Sequence, residues 1–160
     1  MKILETAVLS QMPQLIEELT ASLRLKKESV AGIDVFRLEV EPDFIILLYD
    51  LSVEKELPGE VVVHLKDHLS ALLILFDEVI SELPEDGASF IDGLAKDLVH
   101  KPTVVAVRSE TAKVQKVNLT TNGNGFYLSN FGRILFWHPE LSESQKQVWH
   151  TLWGTLQPIS

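Results

Sequence analysis

The sequence predicts an α/β fold: a three-layer sandwich with a mainly parallel central sheet, antiparallel edge strands and a C-terminal helix. Three observations carry that expectation. First, compact apolar runs end abruptly in a charged residue at Phe44 to Asp50, Ala71 to Asp77 and Thr103 to Arg108. Runs this short do not span a bilayer, and they lack the polar alternation of a half-exposed strand. They fit strands buried on both faces, as at the centre of a parallel sheet covered by helices. Second, Phe90, Ile91, Leu94, Ala95, Leu98 and Val99 make an amphipathic helical pattern between the second and third runs. The stretch from Asp77 to Thr103 is then a strand–helix–strand unit of the length a right-handed crossover needs. Third, Val148, Trp149, Leu152, Trp153 and Leu156 recur on one face of a final helix.

From the N-terminus, Leu4 to Leu25 reads as mostly helical, with Leu15, Ile16, Leu19 and Leu23 at near-helical spacing and Glu17 and Glu18 facing away. Ser10 is the expected cap, and Pro13 belongs in the first turn. Arg24, Lys26 and Lys27 form the only short basic cluster, read as a solvated helix end. After a break at Ser29 to Gly32, alternation from Asp34 to Val40 suggests an exposed or edge strand. Glu41-Pro42-Asp43 turns it into the first buried run as a hairpin. Val61 to His68 is a short segment of doubtful helicity, given its three consecutive valines. Leu83 to Gly87 is a turn, and Pro102 stops the helix that ends at His100-Lys101. Val114 to Leu119 and Phe126 to Leu128 look like a hairpin around Asn122-Gly123-Asn124-Gly125. A further strand runs from Arg133 to Trp137, and Ser142-Glu143-Ser144-Gln145 opens the last helix as a capping box.

At 160 residues the chain is expected to be a single domain, 1–160, able to bury about two-thirds of its unfolded surface. There is no internal repeat, low-complexity segment or dividing linker. Hydrophobic residues at 46% and charged residues at 23% exclude wholesale disorder. The net charge of −9, with 23 acidic against 14 basic residues, disfavours binding to phosphate backbones, so no nucleic-acid partner is expected. Cysteine is absent, which removes disulfides, thiolate metal sites and a cysteine nucleophile together. No apolar run reaches the length of a membrane span and no leader pattern opens the sequence. A cytoplasmic protein without a membrane partner is the expectation.

If the apolar strands are parallel, ligands belong in the crevice beyond their carboxyl ends. That edge carries Asp50, Asp77 and Arg108. Asp50 and Asp77 are the candidate catalytic pair, and with Glu78 the candidate metal ligands, since a few carboxylate oxygens suit Mg²⁺. The plainer reading is that strands end at polar residues because the chain must turn there. Of the histidines (His64, His68, His100, His138 and His150), His64 and His68 are spaced like half a zinc pair but lack the accompanying glutamate, and read as a polar helix face. No nucleophile elbow is present. The glycine-rich loop lies between two apparent antiparallel strands, so it reads as a turn and not as a phosphate cradle. Trp137, Trp149 and Trp153, with neighbouring Phe126, Tyr127, Phe131 and Phe136, gather aromatic side chains in the last third. They read either as core packing or as a partner-binding surface, where rigid aromatics dominate.

The middle of the chain resembles a Ras-like small GTPase. Tyr49-Asp50-Leu51-Ser52-Val53-Glu54 is similar to the family's Asp-x-x-Gly segment, and His68 to Asp77 to its fourth strand. Phe90 to Leu98 resembles the next helix, and Lys101 to Val107 the strand before the guanine-specificity motif. The likeness covers about half of the chain, and the nucleotide motifs are missing. Glu5 to Pro13 replaces the phosphate loop without a glycine or a Lys-Ser/Thr pair. Val53 stands where the γ-phosphate-sensing glycine belongs, and Arg108-Ser109-Glu110-Thr111 replaces Asn-Lys-x-Asp. The resemblance therefore implies a degenerate pseudo-GTPase that kept the scaffold and lost the nucleotide, with no cofactor.

The functional expectation is a non-catalytic protein-interaction or adaptor module with a protein partner; a homo-oligomer stays open. The alternative is a small-molecule enzyme, phosphate- or metal-dependent, that uses the acidic residues at the strand ends.

Overall fold

A computed structural model of the chain describes residues 1–10, 12–21, 23, 25–30, 32–52, 63, 67–78, 101–121, 126–129 and 132–156. In order they form β1 (Lys2–Ser10), α1 (Pro13–Thr20), β2 (Lys26–Val30), β3 (Ile33–Glu41), β4 (Phe44–Ser52) and β5 (Leu69–Asp77). There follow β6 (Thr103–Arg108), α2 (Thr111–Thr121), β7 (Phe126–Ser129), β8 (Gly132–Trp137) and α3 (Ser142–Leu156). The strands make one sheet of order β2-β3-β4-β1-β5-β6-β8-β7. Its centre, β4-β1-β5-β6-β8, is parallel throughout. β3 and β2 continue it antiparallel on one flank, and β7 does so on the other. The fold is α/β, with a mostly parallel sheet and a C-terminal helix.

The three continuous apolar runs are β4, β5 and β6, all pointing the same way, and the hairpin at Glu41-Pro42-Asp43 joins β3 to β4 as expected. The N-terminus departs from expectation. Instead of a helix from residue 4, residues 2–10 form the central strand, paired on both sides, and helix is confined to Pro13–Thr20. β1 escapes recognition because Glu5 and Thr6 interrupt its apolar run, yet neither disturbs its burial. Glu5 accepts a 2.5 Å hydrogen bond from the Tyr49 hydroxyl, and Thr6 is completely buried. β3 is not an edge strand, since β2 pairs outside it; Lys26 and Lys27 therefore lie on a strand, not at a helix end.

Side chains alternate across the sheet and build two cores. On the first face Val8, Ile46, Leu48, Leu73, Leu75, Val104, Ala106, Leu135 and Trp137 pack against Leu15, Ile16 and Leu19 of α1 and Val148, Trp149 and Leu152 of α3. On the second face Ala7, Leu9, Ile33, Val35, Tyr49, Leu51, Leu69, Leu72 and Ile74 are buried together. α2 lies on this second side: Lys113 Nζ sits 4.9 Å from the centre of the Phe136 ring, which alternates with Leu135 and Trp137. The expected crossover helix at residues 90–99, His64, His100 and the loop 122–125 lie outside the described residues.

Two C-terminal expectations need correction. Val114 to Leu119 belongs to α2, a helix, and not to a strand paired with Phe126 to Leu128; the antiparallel partner of β7 is β8. The β-branched residues there suggested a strand, and tertiary context overrides that propensity. Val114 is fully buried while its neighbours Lys113 and Gln115 are exposed, which is the pattern of a helix laid on a sheet edge. In α3 Ser142, the expected cap of the box, is already the first helical residue, and its box partner Gln145 donates its side-chain amide to the Glu18 carbonyl of α1; the bonds at this helix end are made by Ser144. Its hydroxyl donates to the Leu141 carbonyl (2.6 Å) and accepts from the His138 amide (3.1 Å), tying the end of β8 to the first turn of the helix. No described helix is long and apolar enough to cross a membrane.

Candidate functional site

The carboxyl ends of the parallel strands are the place to look, because four of the five, β1, β4, β5 and β6, end there in Ser10, Ser52, Asp77 and Arg108. Asp50 lies on the first face with Leu48 and Ile46, 7% exposed, and Asp77 on the same face with Leu75 and Leu73, 8% exposed. The sheet does not bring the two together. Asp50 is level with Val8, and Val8 with Leu73, so Asp77 stands four positions further on and two strands away. At ~3.3 Å per residue and ~4.8 Å per strand the two positions are ~16 Å apart, too far for one metal ion. Glu78, next along the chain, is exposed and bound to Lys113 of α2. That hydrogen bond, and one from Ser109, hold its carboxyl below the ordinary carboxylate range. Among the described residues no cluster of three or more His, Asp or Glu side chains is placed to hold a metal ion.

Asp77 belongs to a different arrangement. Its ladder partner is Arg108, whose Nη1 lies 3.6 Å from Asp77 Oδ2, while Nε donates to Glu18 Oε2 of α1 at 2.7 Å. One guanidinium thus joins two strand ends to the helix above them. Backbone bonds reinforce the edge: the Glu78 amide donates to the Arg108 carbonyl (3.0 Å), and the Ser109 amide to that of Trp137 (2.9 Å). The sequence gives no local sign of Glu18, read there as facing away from the protein, because its partner is 90 residues distant.

The β1–α1 connection occupies the place where the resemblance puts a phosphate loop. Only residues 11 and 12 separate strand from helix. Met12 stands at the N-cap without a side-chain cap, Pro13 opens the helix, and the Ser10 hydroxyl, expected to cap the helix, donates to the Met12 carbonyl instead. Proline removes one of the free amides that a helix N-terminus offers an anion. Behind this turn, the space between α1 and the sheet is lined by Ile16, Leu19, Thr20, Val8, Asp50 and Trp149, and leaves no room for a water molecule.

The tryptophans fall mainly into the core. Trp137 is 0% and Trp149 2% exposed, which makes them packing residues and not a binding surface. Trp149 Nε1 donates to the Leu19 carbonyl (3.1 Å), and Gln145 Nε2 to that of Glu18 (3.1 Å). Two of the last carbonyls of α1, which have no partner within the helix, are thereby satisfied by α3, and that of Thr20 accepts from the Leu23 amide (2.9 Å). Trp153 is half-buried at the margin of the same core, with His150 tilted against it at 6.0 Å. His68 is exposed.

No protein-family model and no curated protein matches the chain. Among solved structures the chain is similar to Aquifex aeolicus Era, in a crystal structure bound to GDP and AlF4⁻, with a TM-score of 0.56 at 11% identity. The match covers 100% of this chain and 59% of that one, so the chain spans about 59% of the Era chain's length. At such identity the likeness is one of fold alone, a mostly parallel α/β sheet covered by helices.

Proposed function

We propose that this chain is a non-catalytic protein-interaction or adaptor module built on a GTPase-like scaffold that no longer handles nucleotide. The observation that carries this reading is the β1–α1 turn. A phosphate loop needs glycines so that the backbone can wrap the phosphates, successive amides to bind them and a lysine to offset their charge. Here Gln11 and Met12 alone separate strand from helix, Pro13 removes an amide at the helix start, and neither a glycine nor a lysine is present. The segment that stands for the guanine motif gives the same indication. Arg108 is committed to Glu18 and Asp77, and the Ser109 amide to Trp137. A scaffold that keeps its sheet and loses its ligand contacts retains its surface as its working part, and the net charge of −9 favours a partner that presents basic or neutral groups.

The test is thermal denaturation with GDP, GTP or ATP at about 1 mM, each with Mg²⁺, because a ligand of the folded state raises the midpoint by mass action. The expected result is no shift with any of them. A rise of several degrees that titrates with one nucleotide would overturn the proposal.

A further inference from the structure

We infer that α1 is a strap fastened by charge, with Arg108 as its buckle. The helix is eight residues long, too short to persist alone in water, so its presence depends on what holds it down. Two kinds of contact do so. The apolar residues Leu15, Ile16 and Leu19 enter the first core, and three side chains from elsewhere in the chain converge on Glu18 and Leu19. Gln145 and Trp149 give neutral bonds to carbonyls, whereas Arg108 gives the one ionic bond, to the Glu18 carboxylate.

Arg108 is shared. Asp77 lies on its other side with Oδ2 at 3.6 Å, farther than the 2.7 Å to Glu18 but anchored on the sheet and more deeply buried. The guanidinium therefore keeps a carboxylate partner when α1 lifts, so that release leaves no stranded buried charge. Lifting α1 uncovers the closed space behind it, where Ile16, Leu19 and Thr20 meet Asp50 on the sheet. The strap gates access to Asp50 and to the apolar floor around it, and salt or a competing anion loosens it by weakening one ion pair. This inference does not depend on the interaction-module reading.

Hydrogen exchange on the intact chain tests it, comparing the amides of residues 17–20 in α1 with those of α3. On raising salt from about 0.02 M to about 0.5 M, the α1 amides should exchange about two- to fivefold faster while the α3 amides hold their rates. Glu18→Gln should give that faster rate already at low salt and abolish its salt dependence. Asp77→Asn, which removes the carboxylate that competes with Glu18 for Arg108, should slow α1 exchange. The inference is overturned if α1 and α3 exchange at one common rate in every condition, or if Glu18→Gln retains the full salt response. It is equally overturned if Asp77→Asn speeds α1 and α3 alike, since Arg108 would then serve global stability only.

Discussion

At the scale of single residues, the pairing of Glu5 with Tyr49 shows how a polar group survives in the middle of a buried sheet. Glu5 sits on the central strand, and the Tyr49 hydroxyl on the neighbouring strand donates to it at 2.5 Å. Burial first, then the bond to Glu5 and its negative charge, push the phenol well above the ordinary tyrosine range. A raised pKa means that the folded chain favours the neutral phenol. Its contribution is therefore complete below the unfolded pKa of about 10 and is lost as pH rises beyond it. Urea unfolding should show stability declining above about pH 10. Tyr49→Phe should cost ~1 kcal/mol at neutral pH, from the lost hydrogen bond, and give a flatter alkaline decline than the parent. Equal slopes in the two proteins would show that Tyr49 ionises as freely in the sheet as in the unfolded chain.

At the scale of elements, the β2–β3 hairpin turns on one glycine. Gly32 has φ +82°, and a Cβ built there meets nothing within 4 Å, so a substitution strains the backbone alone. Gly32→Ala should therefore cost about 1 kcal/mol in a urea melt without changing the Trp signal of the native state. An unchanged midpoint would show that the turn relaxes to a negative φ. The elements legible in the sequence were those whose signal is local. β4, β5 and β6 are continuous apolar runs, the β3–β4 turn carries Pro42, and α3 has a clear apolar face. β1 and α2 were hidden because their stability is not local. Glu5 in β1 is tolerated through Tyr49, 44 residues away, and α2 keeps a helix through the burial of Val114. The candidate site divides in the same way. Asp50, Asp77 and Arg108 were placed at the strand ends correctly, because a parallel strand that ends in a charge locates that charge. Their separation was not legible, since it depends on register and on β1 lying between β4 and β5. Nor was the burial of Trp137 and Trp149, because spacing places residues on a common face without saying what covers it.

At the scale of the whole molecule, the two cores share one sheet, and β1 contributes to both. Val8 enters the first core, while Ala7 and Leu9 enter the second. β1 also bridges distant parts of the chain, pairing with β4 and β5 at once, so neither half of the parallel sheet is complete without it. Loss of packing on one face therefore strips a strand from the other, and the faces are expected to melt together. This is open to direct measurement because Trp137 and Trp149 are both buried in the first core, so tryptophan fluorescence reports on that face while far-ultraviolet circular dichroism reports on the whole sheet. Leu9, completely buried on the opposite face, supplies the perturbation. Leu9→Ala should destabilise the protein by ~2–5 kcal/mol, from lost transfer energy and the cavity left behind. It should move the fluorescence and dichroism midpoints in urea by the same amount, with the two curves coincident in both proteins. If dichroism falls in Leu9→Ala while tryptophan fluorescence keeps the parent midpoint, the faces unfold independently, and β1 is a spacer between two separate cores instead of the strand that couples them.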